Sequence, residues 1–302
     1  MADSHMVIFG LGYSGAAVAR AAQDAGFQVT ATSRDPSGIK APEGVAVIGF
    51  DAADAAVAAA THVLATAPPS EDGDPVLIRY SAVLSASAAL RWAGYLSTTG
   101  VYGDRAGGWV DETTHPNPAA PRARRRIAAE HGWAALAGRV SGHIAVDLFR
   151  VAGIYGPGRS VLDDVAAGVA RRVIKPGHAF GRIHRDDIAG AVMAAIRTAP
   201  ATGVRVLHLA DDVPAESALV IEEAARLLGV APPPAVPYAD AVAGMGEMAR
   251  SFWADNRKVA SAITQQTLGY RWRYPDYRSG LAAIFAEEGR DRSAEQGEVG
   301  GA

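Results

Sequence analysis

The sequence predicts an α/β protein, a Rossmann-type doubly wound parallel sheet with a smaller carboxyl-terminal substrate lobe. Three observations predict it. An apolar run, Val7 to Phe9, leads directly into Gly10-Leu11-Gly12-Tyr13-Ser14-Gly15, a G-x-G-x-x-G spacing. An Ala-rich segment of good helix propensity, residues 16–25, follows and is ended by Gly26. Residues 28–32 then read as a second strand. Strand, glycine turn, helix, strand is the opening of a dinucleotide-binding unit.

Each glycine has a distinct task. Gly10 permits the tight turn out of the strand, Gly12 lets a pyrophosphate approach the bare backbone, and Gly15 lets the helix pack close to the strand. Tyr13 and Ser14 sit in the same turn, at a helix N-terminus whose free N–H groups and dipole favour phosphate. The simpler alternative is a glycine turn with no ligand. The end of the second strand bears on the coenzyme. It reads Thr32-Ser33-Arg34, where an NAD site would carry an acidic residue. A guanidinium suits a 2′-phosphate and Ser33 adds a hydroxyl donor, so NADP is favoured over NAD. Asp35 follows at once and keeps NAD open, and Arg34 also reads as a solvated loop charge.

The 302 residues suffice for one large α/β unit or two lobes, and 49% of them are hydrophobic. The net charge of -3, with no basic block, argues against a nucleic-acid partner. The absence of Cys excludes disulfides, thiol catalysis and Cys-based metal sites; no metal is expected. No apolar stretch is long enough to span a membrane and no signal-peptide pattern is present, so a cytoplasmic protein is expected. Residues 1–5 read as a tag remnant.

Further along, residues 45–50 form a third strand, followed by Asp51, whose carboxylate is a candidate for the adenine amino group or a plain turn residue. A fourth strand, 61–66, ends at Thr66-Ala67 on the carboxyl edge, where ligands lie in doubly wound sheets; both residues are cofactor-site candidates. Asp74 caps a helix over 75–92. A fifth strand, 94–98, ends in the hydroxyl cluster Ser97-Thr98-Thr99, followed by Tyr102. Residues 105–121 are a Gly- and Pro-rich loop, 122–137 an Arg/Ala-rich helix and 144–151 a sixth strand. Asp187 caps a helix over 188–197, a strand covers 204–209, a helix covers 221–228, and another starts at Asp255-Asn256-Arg257-Lys258. Tyr270, Trp272 and Tyr274 alternate along an extended segment and pack it down.

Taken together, the glycine motif, Ser97-Thr98-Thr99-Gly100-Val101-Tyr102-Gly103-Asp104, the stretch Arg150 to Gly158, the stretch Arg182 to Ala189 and the late Leu268 to Pro275 resemble the short-chain dehydrogenase/reductase superfamily. The resemblance is to its extended form, the NAD-dependent epimerase/dehydratase family, and within it to the atypical, YeeZ-like subgroup. It covers Met6 to about Phe285. It implies a Rossmann domain over 6–155 and 182–212 and a substrate lobe over 156–181 and 213–286; the polar, charged sequence after Glu287 predicts a disordered tail over 287–302. The resemblance also implies a small-molecule substrate, often a nucleotide sugar, and a homodimer through helices of the Rossmann domain. The family's Ser/Thr falls on Thr98, which would hydrogen-bond the reacting oxygen.

The central departure is the missing Tyr-x-x-x-Lys. Glu130 sets the register of the matching helix, which puts Arg122 at the Tyr position and Arg126 at the Lys position. A guanidinium stays protonated and cannot shuttle a proton. Arg126 can still hold the nicotinamide ribose, and Arg122 can bind an anion or stabilise an oxyanion; both also read as part of a solvated basic helix face. Tyr102 is a candidate to supply the proton, whereas His184 reads as structural. The expectation is an NADP-dependent oxidoreductase or epimerase/dehydratase-like enzyme acting on a hydroxyl or carbonyl carbon, with catalytic candidates Thr98, Tyr102, Arg126 and Arg122. The alternative is a non-catalytic NADP-binding sensor or interaction protein.

Overall fold

A computed structural model describes residues 4–140 and 144–299. Seven parallel strands form the main sheet: β1 (His5–Phe9), β2 (Gln28–Ser33), β3 (Ala46–Gly49), β4 (His62–Ala65), β5 (Trp92–Thr98), β6 (Ala145–Val151) and β7 (Gly203–Leu209). Their order is β3-β2-β1-β4-β5-β6-β7. The winding therefore reverses between β1 and β4, and the crevice for a ligand opens at the carboxyl end of that pair.

The strands are apolar on both faces because helices cover both. Four flanking helices are α1 (Tyr13–Asp24), α2 (Pro75–Ala86), α3 (Pro121–Leu136) and α4 (Arg185–Arg197). Met6 and Ile8 of β1 point into a core shared with Val18 and Ala22 of α1 and Ile188 and Val192 of α4. Val7 and Phe9 point the other way, against Tyr80 and Leu84 of α2 and Trp133 of α3. Each large side chain so buried contributes roughly 1.5–3 kcal/mol. A smaller third core joins Leu162 and Val165 to Val220 and Ile221 of α5 (Ser217–Leu228) and to Tyr277, Leu281 and Ile284 of α6 (Tyr277–Val299). This is the smaller carboxyl-terminal region, which the sheet carries at its carboxyl edge.

One buried polar network ties the sheet to α3. Glu130, on α3, accepts from the Ser97 hydroxyl at 2.5 Å and from Arg150 Nη2 at 2.7 Å. Arg150 passes a second hydrogen bond to the Tyr102 hydroxyl at 2.7 Å. The Glu130 and Arg150 side chains are only 3% and 6% exposed.

Several sequence expectations are revised. The helix predicted over 75–92 stops at Ala86, because the Ser87 hydroxyl accepts from the Ala89 and Leu90 N–H groups and offers the backbone a competing turn. Asp187 is not a cap. His184 caps α4 by accepting from the Asp186 N–H, while Asp187, fully buried, accepts from the Tyr270 hydroxyl and the Arg273 and Tyr274 N–H groups. The segment at Asp255 starts no helix. Lys258–Val259 pairs in parallel with Trp109–Val110, inside the region read as loop, and Asn256 bonds Asp104, so long-range pairing overrides local propensity. α5 begins at Ser217, earlier than predicted. α6 runs to Val299 through the stretch read as a tail, in keeping with its Ala, Glu, Gln and Arg content; residues 300–302 lie outside the described residues, as do residues 1–3 of the tag remnant. His5 opens β1 rather than lying outside the fold. Asp74 does cap α2, accepting from the Val76 and Leu77 N–H groups at 3.0 Å.

Breaking the Glu130–Arg150 pair from one side leaves a buried guanidinium uncompensated. Glu130→Ala is expected to cost about 3–5 kcal/mol in urea denaturation followed by circular dichroism, with Glu130→Gln costing less because its amide oxygen still accepts from Arg150.

Candidate functional site

The glycine turn lies at the switch point of the sheet. Gly10 has φ +100°, and a Cβ there would stand 2.7 Å from Thr66 Oγ1. A Cβ on Gly15 would collide with the Gly10 carbonyl oxygen, which is how closely α1 packs on the turn. Above Gly12 a Cβ would meet nothing within 4 Å. Gly12 is also the N-cap of α1 and places no side chain over its first N–H groups. An open floor at Gly12 between two tightly constrained glycines suits a pyrophosphate, so the turn fits a dinucleotide.

The neighbouring candidates divide. Thr66 is engaged in holding the turn, its hydroxyl bonding the Gly10 carbonyl at 2.8 Å, and Ala67 packs beside it. Ser14 is buried at the start of α1. Tyr13 donates its hydroxyl to the Pro157 carbonyl at 3.0 Å, and the Arg159 and Arg185 guanidiniums lie over its ring, 5.5 and 5.0 Å from the centroid. Sequence reasoning missed these two arginines. Only the fold brings the Tyr155–Arg159 loop and the first residue of α4 to the glycine turn.

At the end of β2, Ser33 Oγ donates to the Asp35 carbonyl at 2.9 Å, and the Asp35 carboxylate accepts from the Ser37 N–H and hydroxyl. Asp35 is thereby turned into its own loop, and those Ser37 bonds hold its pKa below the usual value. Arg34 is exposed, with no ion-pair partner among the described residues. Asp51 is exposed in a short 3-10 turn after β3.

Beyond the carboxyl ends of β5 and β6 lies a cleft of about 530 Å³. Thr98, Arg122 and Arg126 all line it. Thr98 Oγ1 accepts from the Gly100 N–H at 3.1 Å, which leaves its proton to donate. Arg126 Nη1 is anchored on the Leu96 carbonyl at 2.8 Å and the Tyr95 hydroxyl at 3.1 Å. Arg122 is exposed, with its guanidinium 4.7 Å from the centroid of the Phe252 ring. Phe252 and Arg257, also in the lining, are further residues that the sequence did not single out.

Tyr102 is a correction. Its side chain is fully buried and absent from the cleft wall. The hydroxyl meets His208 Nε2 at 2.5 Å and takes the Arg150 hydrogen bond, and burial pushes its pKa up to about 12. It packs the cores together and does not hand protons to the cleft. The strand-end position alone could not reveal this, because the aiming is done by Arg150 and His208.

His184 is structural, as expected. It is buried between Tyr155 (5.3 Å) and Tyr274 (4.1 Å), with Nδ1 accepting from the Asp186 N–H. Burial pushes its pKa down to about 4, against the opposing pull of Asp186.

A doubly wound sheet with a glycine turn at its switch point, and a hydroxyl and guanidiniums on the cleft beyond its carboxyl edge, defines a Rossmann-type α/β protein. The chain has relatives that share this architecture along nearly its whole length. It is similar to Protein YeeZ of Escherichia coli K12, 28% identical with 90% of this chain and 96% of that one covered. A structure of a conserved protein of unknown function from Silicibacter pomeroyi is 39% identical, covers 94% of this chain and 99% of that one, and superposes with a TM-score of 0.85. A Streptomyces 3-diazoavenalumate denitrifying reductase is 32% identical over 170 residues, which is 51% of this chain and about half (54%) of the reductase. MoeE5, solved with UDP-glucuronic acid and NAD, shares the fold at 19% identity, with 95% of this chain and all of that one covered and a TM-score of 0.74. No family model matches the chain.

The depressed His184 pKa sets a pH dependence. A histidine held neutral by folding adds stability that is complete above its unfolded pKa, near 6.5, and is lost as pH falls through about 4. Unfolding free energy from urea titrations is expected to fall by roughly 3 kcal/mol over that window on this account. His184→Asn, which keeps a capping acceptor, is expected to flatten the slope.

Proposed function

We propose that this protein is an NADP-dependent oxidoreductase, acting on a carbon that bears a hydroxyl or carbonyl, with an active site in which guanidiniums replace the usual Tyr and Lys. The observation that carries the reading is the open floor at Gly12, in line along the carboxyl edge with the cleft that holds Thr98 and Arg126. The main-chain N–H groups at the start of α1 hold the pyrophosphate. Arg34 and Ser33 grip the 2′-phosphate, and the withdrawal of Asp35 into its own loop removes the competing carboxylate. Arg126, anchored on β5, orients the nicotinamide ribose. When bound, the nicotinamide supplies or accepts hydride.

Thr98 donates its hydroxyl proton as a hydrogen bond to the reacting oxygen, and Arg126 offsets negative charge that develops beside it. Among the lining residues there is no histidine, and the Tyr155 hydroxyl is directed to the Asp276 carbonyl, with its pKa raised by burial. The cleft thus stabilises charge better than it transfers protons, and solvent exchanges the proton. The similarity to a reductase in Streptomyces supports the redox reading, and the complex of MoeE5 supports a dinucleotide in this fold.

The same lack of a titratable donor favours a second reading, a protein that binds NADP and senses it without turnover. Single-turnover spectroscopy at 340 nm separates the two: oxidation of bound NADPH on adding carbonyl acceptors supports the enzyme, and its absence with every acceptor that binds supports the sensor.

Two variants test the coenzyme site. Gly12→Ala meets no atom and is expected to change stability by less than about 1 kcal/mol, yet to lower NADPH affinity by about tenfold or more in calorimetry, because the methyl blocks the pyrophosphate. Arg34→Ala is expected to weaken NADPH by about tenfold while leaving NADH within about twofold, which erases the preference. Equal affinities of the unmodified protein for both coenzymes would overturn the NADP assignment.

A further inference from the structure

Four guanidiniums line the cleft, from Arg122, Arg126, Arg182 and Arg257, against a single carboxylate, Asp255. Two of the four are anchored by neutral oxygens and keep their charge. Arg182 Nη1 donates to the Phe180 and Ala215 carbonyls, and Arg126 Nη1 to Leu96 and Tyr95. Arg257 and Arg122 remain. Arg257 is held in place by the Gly103 carbonyl and by Asp255, each at 3.0 Å, with its side chain 17% exposed. Burial lowers its pKa, and the charge of Arg122 acts in the same direction, although Asp255 opposes both. Arg122 has no carboxylate partner among the described residues; its guanidinium rests on the exposed ring of Phe252.

Two like charges therefore share one wall of a partly desolvated cleft, with one carboxylate to balance them. The sum of Arg122, Arg257 and Asp255 is one positive charge, and Arg126 and Arg182, bonded to neutral oxygens, add two more to the lining. An oxyanion docked between the guanidiniums relieves their repulsion and gains charge-assisted hydrogen bonds. A carboxylate between Arg122 and Arg257 offsets the local excess of this pair, whereas a bulkier dianion in the same place meets the opposing charge of Asp255, which is bonded to Arg257. The ring of Phe252, flanking Arg122, offers an apolar face to a planar group attached to that anion.

We propose that Arg122 and Arg257, with Phe252, form a subsite for the carboxylate of a planar, monoanionic substrate. This rests on the reading of the cleft as the substrate site and names the substrate class for it. Arg257 is the fixed half of the subsite, held by Gly103 and Asp255. Arg122 is the adaptable half, which swings from the Phe252 ring to the ligand.

The test is calorimetric titration of the full chain with cinnamate, with neutral cinnamamide and with UDP, together with a separate titration with NADPH. Cinnamate is expected to bind about tenfold or more tightly than cinnamamide and more tightly than UDP, and to weaken as salt rises. Arg122→Gln and Arg257→Gln are each expected to lose about tenfold for cinnamate, and Arg124→Gln, on the exposed part of α3, to lose nothing. Arg122→Gln guards against misfolding, since Arg122 is exposed and anchors no backbone. Equal affinity for the acid and its amide, tighter binding of UDP, no binding of cinnamate at millimolar concentration, or indifference to Arg122→Gln each overturns the proposal. Failure of NADPH to bind overturns the coenzyme reading instead, and leaves the cinnamate result to stand on its own.

Discussion

The buried pair of Glu130 and Arg150 is the contact on which the geometry of the cleft depends. It joins α3 to β6, and through the Ser97 hydroxyl it also reaches β5. Arg150 carries the connection on to Tyr102 and from there to His208 of β7, whose Nδ1 meets the Ala260 carbonyl at 2.7 Å. A carboxylate and a guanidinium taken this far out of water are tolerated because each finds several partners. The consequence is rotational. With Glu130 pinned to the sheet, residues four and eight positions earlier on α3 fall on the same helix face. Those residues are Arg126 and Arg122, and they meet the cleft for that reason.

This also explains how much of the molecule could be read in advance. The glycine turn was legible because its constraints are local: a positive φ at Gly10, open space over Gly12, a close approach at Gly15. The positions of Arg122 and Arg126 were legible because one residue, Glu130, carries the register of a regular helix. Tyr102 was not, since a strand-end tyrosine can turn either way and the partners that turn it inward, Arg150 and His208, lie far along the chain. The same holds for Asp255 to Val259, where pairing with Trp109–Val110 defeats the local helical signal. Asp187 looked like a cap because it precedes an apolar helical run, and its real donors come from a segment more than eighty residues later.

The chemistry of the cleft follows from what arginine cannot do. A phenol beside a cation cycles between two protonation states; a guanidinium does not. Replacing both members of the usual pair with arginine retains attraction for negative charge and gives up proton exchange. Thr98 keeps a hydrogen-bond donor at the site, while Tyr102 is sequestered and the hydroxyl of Tyr155, in the lining, is directed to the Asp276 carbonyl.

The three-donor grip on the Asp187 carboxylate has a consequence for biosynthesis. Asp187 sits in the first turn of α4, a helix that covers one face of the main sheet, whereas its donors belong to residues 270–274. A ribosome delivers α4 long before it delivers those donors. Until they emerge, this face of the nascent sheet must close over an unsatisfied acid or stay ajar with the carboxylate in water. The face of the sheet beneath α4 therefore completes its packing only after Tyr274 has been made, and a chain stopped short of Tyr270 would be left with α4 unsealed.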